Sequence, residues 1–210
     1  MPNFPTTRHV LESDCQRCPQ LVESRACISW ATGSLEAPVL VVGEAPGAGT
    51  PEADRWAGGN WTGKAYTARH SGRRIRTMLE SLGVDAAYTN AVKCFPADPN
   101  NPSTNREPTA DERANCRPYL RQEIELIEPT AILTTGKHAT QSVLALERRE
   151  LESGFLETVL EPIRCRSLET WLLPVVHPSY QDVWIGRLGY DPDTYLAAIG
   201  SELEAIGALE

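Results

Sequence analysis

Pro38-Val39-Leu40-Val41-Val42-Gly43-Glu44-Ala45-Pro46-Gly47 is the stretch around which the chain is organised. Aliphatic and β-branched residues between a Pro and a Gly predict a short strand buried on both faces. The run stops in Gly-Glu-Ala-Pro-Gly, where two positions without a Cβ let the backbone approach a ligand closely. In an open α/β sheet, ligands bind beyond the carboxyl ends of the strands, so Glu44 is placed for chemistry. A plain strand-to-loop turn with Glu44 facing water is the alternative reading of this segment alone.

Three further segments have the same character: Tyr88–Lys93, Thr130–Gly136 and Trp171–Val176. Helical patterns separate them, one through Ile75, Met78, Leu79 and Leu82, one through Tyr119, Leu120, Ile124 and Ile127, and one through Ala139, Val143 and Leu146. Alternation of this kind predicts an α/β fold with a parallel four-stranded sheet covered on both faces. The length of 210 residues suits one domain, 1–210. The segment from Asp98 to Asp111, rich in Pro, Asn and Thr, reads as a loop. Helical pattern resumes at Thr194.

Parallel strands would gather Glu44, Asn90, Gly136 with Lys137, and His177 at one sheet edge. Asn is the side chain whose amide offers a donor and an acceptor side by side to a nucleobase edge. Trp61 and Tyr66 are candidates for a stacking face, against the plainer reading of loop packing. A helix opening at Ser71 or Gly72 would present free N–H groups to an anion, with Arg73 and Arg74 beside them. A solvated helix face is the other reading.

The net charge of −8 argues against indiscriminate nucleic-acid binding but leaves room for a local basic face. Only three of the 20 basic residues are lysines, a composition suited to a salty cytoplasm, where surface charge is screened. No apolar run has the length of a membrane span and no signal peptide opens the chain, so a cytoplasmic protein without membrane contact is expected. Nothing demands a partner chain, and a monomer is expected. Six cysteines without an export signal favour metal or cluster binding over disulfides. Cys15-Gln16-Arg17-Cys18-Pro19 places two thiols on one tight turn, which suits a shared metal centre or a redox pair. Cys94 and Cys116 could complete a site or be ordinary buried thiols.

Seven segments in order, from Cys15 to about residue 182, resemble the iron–sulfur (family 4) branch of the uracil-DNA glycosylase superfamily. They are Cys15-x-x-Cys18-Pro19, Gly43-Glu44-Ala45-Pro46-Gly47, Trp61-Thr62-Gly63, Tyr88-Thr89-Asn90-Ala91-Val92-Lys93-Cys94, Asn105-Arg106-Glu107-Pro108, Cys116-Arg117-Pro118-Tyr119-Leu120 and His177-Pro178-Ser179. Three stretches depart from the family pattern: 48–60, 66–72 and 180–184. The resemblance implies an α/β/α sandwich of the uracil-DNA glycosylase type. It also implies a [4Fe–4S] cluster on Cys15, Cys18, Cys94 and Cys116 that ties segment 1–30 and the loop 95–115 to the body, with Cys27 and Cys165 spare.

The implied reaction is hydrolysis of the N-glycosidic bond of uracil in single- or double-stranded DNA, leaving an abasic site. In that reaction Glu44 would orient water or stabilise the cationic sugar, and His177 would stabilise the leaving base. Gly43, Gly47 and Ser179 would shape the site, Trp61 would stack on the base and Asn90 would read it. Strand contacts would come from Arg73, Arg74, Arg106, Lys137 and Tyr180. Two alternatives stand beside this reading. One is a superfamily member that binds damaged or uracil-containing DNA with little turnover or another base preference. The other is a zinc site in an unrelated α/β protein.

Overall fold

The computed structural model describes residues 2–52 and 55–209. In chain order the elements are α1 (Pro19–Ser24), β1 (Val39–Gly43), α2 (Arg69–Ser81), β2 (Ala86–Asn90), β3 (Ala97–Asp98), β4 (Asn101–Asn105), α3 (Ala110–Ile127), β5 (Ala131–Thr135), α4 (Lys137–Leu146), β6 (Ile163–Cys165), β7 (Thr170–Val175), α5 (Gln181–Arg187) and α6 (Pro192–Ala205). No helix among the described residues is long and apolar enough to cross a membrane.

The main sheet has the order β2-β1-β5-β7-β6, with the first four strands parallel. The four expected strands are therefore present, and a fifth is added. β6 runs antiparallel to β7, pairing Ile163 with Leu172 and Cys165 with Thr170. Three residues are too few to carry a readable period, which is why this edge strand left no trace in the sequence.

Each parallel strand is buried on both faces, and alternate residues serve different cores. Val39 and Val41 of β1 pack with Ile75 and Leu79 of α2 and with Tyr195, Ile199 and Leu203 of α6. Leu40 and Val42 point the other way, to Leu120, Ile124 and Ile127 of α3 and Val143 and Leu144 of α4. This accounts for the unbroken apolar run in β1: neither face sees water. A third cluster joins Leu21, Ile28 and Trp30 to Val92, Cys94, Cys116 and Tyr119.

Three local expectations change. The segment read as a loop contains the β3–β4 hairpin, pairing Ala97 with Asn105 and Asp98 with Asn101. Every β4 residue is exposed, so no apolar alternation marks it. Helix α3 begins well before Cys116, at a capping box: Thr109 Oγ1 accepts from Glu112 N at 3.2 Å, and Glu112 Oε2 accepts from Thr109 N at 2.8 Å. Helix α2 opens at Arg69, two residues earlier than its apolar pattern suggests.

Candidate active site

The register sets the site. Gly43 pairs with Asn90 across β1 and β2, and Thr135 pairs with Val175 across β5 and β7. The strands thus end at one edge, and Glu44, Gly136 and His177 follow just beyond it. A cavity of about 520 Å³ opens there, walled by 43–47, Gly59, Lys64, 66–68, Ser71, Gly72, Asn90, 105–107, 135–138, His177, Ser179 and Tyr180. Its position matches the rule for ligand sites in parallel sheets.

Gly43 is required by crowding. A Cβ at this position would lie 2.6 Å from Asn90 Oδ1 and 2.7 Å from Tyr66 Oη. The Tyr66 hydroxyl is itself held by Thr135 Oγ1 at 2.6 Å, and Tyr66 takes a left-handed backbone (φ 55°). Gly72 permits that turn, since a Cβ there would lie 2.0 Å from the Tyr66 carbonyl oxygen. Gly43→Ala should fold, because the nearest atoms to the added methyl belong to the side chains of Asn90 and Tyr66 at the cavity wall, which can shift. It should displace the Asn90 amide and lower activity about 100-fold, as expected for a misplaced binding group. Single-turnover cleavage beside a thermal melt checks both halves.

Asn90 is only 4% exposed, and its Nδ2 donates to nothing among the described residues. A buried amide with an unused donor is costly unless a ligand completes it. Burial raises the pKa of Glu44 above its ordinary value of 4.5, an effect opposed by the charge of His138, reinforced by Glu107 and opposed again by Arg113. His138 Nδ1 approaches Glu107 Oε1 at 3.2 Å, an electrostatic contact rather than an aligned hydrogen bond. The Glu44 turn is also pinned from the hairpin, where Asn105 Nδ2 donates to the Pro46 carbonyl at 2.8 Å.

Burial lowers the pKa of His177 below its ordinary value of 6.5, so the imidazole is neutral at pH 7. Its Nδ1 accepts from Ser179 N at 3.2 Å, which assigns the proton to Nε2. Ser179 Oγ meets Ser71 Oγ at 2.7 Å, tying this loop to the first turn of α2.

The structure separates the other expected site residues. Gly47, Arg106, Lys137 and Tyr180 line the cavity with Glu44, Asn90, His177 and Ser179. Trp61 does not. It is 49% exposed, and the aromatic ring at the cavity wall belongs to Tyr66. Arg73 is also outside the lining. Arg74 is engaged by Asp182 and by the Pro178 carbonyl. Arg106 is held bidentately by Glu112 at 2.6 and 2.7 Å, so its charge is largely spent within the fold. Lys137 and Tyr180 stand exposed at the rim. Glu107, Thr135 and His138 are among the lining residues that carried no assigned role from the sequence. Glu107 was visible within its motif. His138 differs, because only the turn from β5 into α4 brings it inward.

Cys15, Cys18, Cys94 and Cys116 gather in the third cluster, whereas Cys165 lies in the core behind β5 and Cys27 bonds the Trp61 carbonyl. Arg25 Nη1 donates to Cys94 Sγ at 3.6 Å, and Asn115 Nδ2 donates to Cys18 Sγ at 3.3 Å. Donors of this kind suit thiolates that share negative charge with a metal group. Burial pushes the Cys116 thiol up to about 12 and raises Cys94 and Cys18 as well, so as free thiols they stay protonated. Among the described residues no three ligand side chains are close enough to grip one ion. The thiols share one apolar cluster without closing on a single point.

The uracil DNA glycosylase superfamily model matches residues 30–194. A Type-4 uracil-DNA glycosylase of Pyrobaculum aerophilum is 35% identical over 175 residues, covering 81% of each chain. A Type-5 uracil-DNA glycosylase of the same organism is 34% identical over 164 residues, covering 63% of this chain and 66% of that protein. A Type-4 uracil-DNA glycosylase of Saccharolobus solfataricus is 33% identical over 169 residues, covering 79% of this chain and 71% of the relative. The sheet order, the edge on which the cavity opens and these similarities agree, and the chain belongs to the uracil-DNA glycosylase superfamily.

Proposed function

We propose that the protein is a monofunctional DNA glycosylase that hydrolyses the N-glycosidic bond of uracil. The observation that carries this reading is the buried Asn90 amide, with its unused Nδ2 at the cavity wall. Uracil presents an N3–H donor beside an O4 acceptor, and one amide matches both. Cytosine presents the reverse pattern and would leave Asn90 facing donor with donor. The base reaches this depth only after leaving the DNA stack.

As the bond from N1 to C1′ breaks, its electron pair moves to uracil and positive charge grows on the sugar. The neutral His177 Nε2–H is suited to donate to the uracil oxygen that gains charge. The Glu44 carboxylate opposes the sugar cation and holds the water whose oxygen joins C1′, taking up its proton. Of the two lysines that line the cavity, Lys64 has its Nζ bonded to the Pro5 carbonyl at 2.8 Å and Lys137 stands at the rim.

Cys15, Cys18, Cys94 and Cys116 are the residues to hold a [4Fe–4S] cluster, which when bound ties the N-terminal segment to both ends of the 95–115 stretch. That stretch carries Asn105 and Glu107 to the cavity. Arg106, engaged by Glu112, fits a role in shaping this wall, and Lys137 and Tyr180 remain the rim groups suited to touch a DNA strand.

The test uses a uracil-containing single-stranded oligonucleotide, with alkaline cleavage at any abasic site. Cleavage dependent on alkali supports the reading. No cleavage by folded, anaerobically purified protein over several salt concentrations overturns it and leaves binding alone. The rate should fall as pH drops through the Glu44 value, which lies above 4.5, because the carboxylate is lost. His138→Gln removes a side chain whose charge opposes this shift and should move the acid limb to higher pH; an unmoved limb in the pH–rate profile would exclude Glu44 as the group that titrates.

A further inference from the structure

One pair of charges has no part in this chemistry. Lys93 and Glu123 are the most buried ionic side chains among the described residues, at 1% and 0% exposure, with Lys93 Nζ 2.5 Å from Glu123 Oε2. A buried ion pair gives little net stability relative to apolar side chains of similar shape. This pair is bonded in a way that points to another use. Lys93 Nζ also donates to the Asn90 carbonyl at 2.5 Å and to Thr89 Oγ1 at 2.8 Å. The Thr89 hydroxyl donates to Glu123 Oε2 at 2.6 Å, and Glu123 Oε1 accepts from Ala31 N at 3.2 Å.

The same short turn is bonded from its other side. Ala91 N donates to the Gly43 carbonyl at 2.7 Å, and Val92 N donates to the Glu44 carbonyl at 2.9 Å. Beyond Asn90 the β2 ladder has ended, so the Asn90 carbonyl depends on the Lys93 ammonium for its partner. One buried network therefore fixes the peptide that carries the Asn90 amide and the peptide that carries Glu44.

We infer that Lys93 and Glu123 are positioning residues, which hold the 90–93 turn so that Asn90 selects uracil over cytosine while Glu44 keeps its place beside the sugar. This rests on the proposal that Asn90 reads the base. Two parallel hydrogen bonds to a base edge tolerate displacements of only about 0.5 Å, a demand that a fully bonded ionic network meets and a loosely packed turn does not.

The test compares dissociation constants for single-stranded oligonucleotides containing one 2′-fluoro-2′-deoxyuridine, which resists hydrolysis, or one deoxycytidine at the same place. Wild-type protein, Lys93→Met/Glu123→Gln, Thr89→Val and Asn90→Ala are measured after circular dichroism and thermal melts. The double variant removes both charges without stranding either and is expected to fold. Its preference for uracil should fall about 10- to 100-fold, with KM rising in turnover assays, as for a misplaced binding group.

A wild-type preference in the double variant, with that preference lost in Asn90→Ala, assigns the pair a purely structural role and overturns the inference. A wild-type preference in Asn90→Ala removes the base-reading role itself, and the inference falls with it. Should the double variant not fold, Thr89→Val reads the same quantity: a loss of about tenfold or more (roughly one hydrogen bond to a charged group) supports the network's role, and an unchanged preference overturns it.

Discussion

His177→Ala is expected to slow uracil release by about 10²–10³-fold while leaving the affinity for a uracil-containing strand within a few-fold of wild type. The asymmetry follows from where the charge is. In the ground state the uracil oxygen is an ordinary carbonyl, and one donor contributes little to binding. In the transition state the same oxygen bears much of the departing electron pair, and a preorganised donor in a water-poor site contributes far more. The imidazole is preorganised by its loop: Ser179 N donates to Nδ1, and the Ser71–Ser179 contact ties that loop to α2. Burial keeps the ring neutral, so the effect is a directed N–H rather than a full positive charge. Single-turnover rates and equilibrium binding on the same oligonucleotide separate the two quantities. Equal losses in both would make His177 a plain binding group.

Lys93→Met is expected to destabilise the fold by about 3–5 kcal/mol, because it strands the Glu123 carboxylate at 0% exposure without its cation. Typical domains have about 5–15 kcal/mol in total, so much of the stability would go. Glu123 would retain the bonds from Thr89 and Ala31, which limit the loss but supply no charge. Adding Glu123→Gln should recover most of the deficit, since the stranded charge is then gone. Urea unfolding of wild type, single and double variants checks the sign of that recovery. A single variant as stable as wild type would mean that Glu123 is uncharged in the fold.

The two residues differ in how far the sequence disclosed them. His177 stands at a strand end within a recognisable His-Pro-Ser, and both its placement and its edge were legible. Lys93 was visible inside the Tyr88–Cys94 segment, yet nothing local distinguishes a lysine at a strand end from a solvated one. Its partner lies 30 residues away on α3, and only packing that helix against β2 brings them together. Trp61 shows the converse. It sits in the right motif, but its loop turns the ring outward and leaves the wall to Tyr66, whose left-handed turn depends on Gly72. The arginines show a related limit of local reading, since sequence counts charge without seeing that Arg74 pairs with Asp182 and Arg106 with Glu112.

By itself, the sequence determined the four parallel strands and the edge on which their ends collect. Strands buried on both faces are short runs without apolar–polar alternation, and the residue after each run lies at the sheet's end. It also singled out the four thiols that share one cluster and the Glu44, Asn90 and His177 that line one cavity, because each stands in a contiguous motif. Tertiary structure alone decided what each motif meets: the β6 edge, the exposed hairpin that delivers Asn105 and Glu107, the approach of His138 to Glu107, and the ion pair behind Asn90. Those contacts join segments far apart in the chain, and their energies depend on burial and distance, which no local pattern of residues encodes.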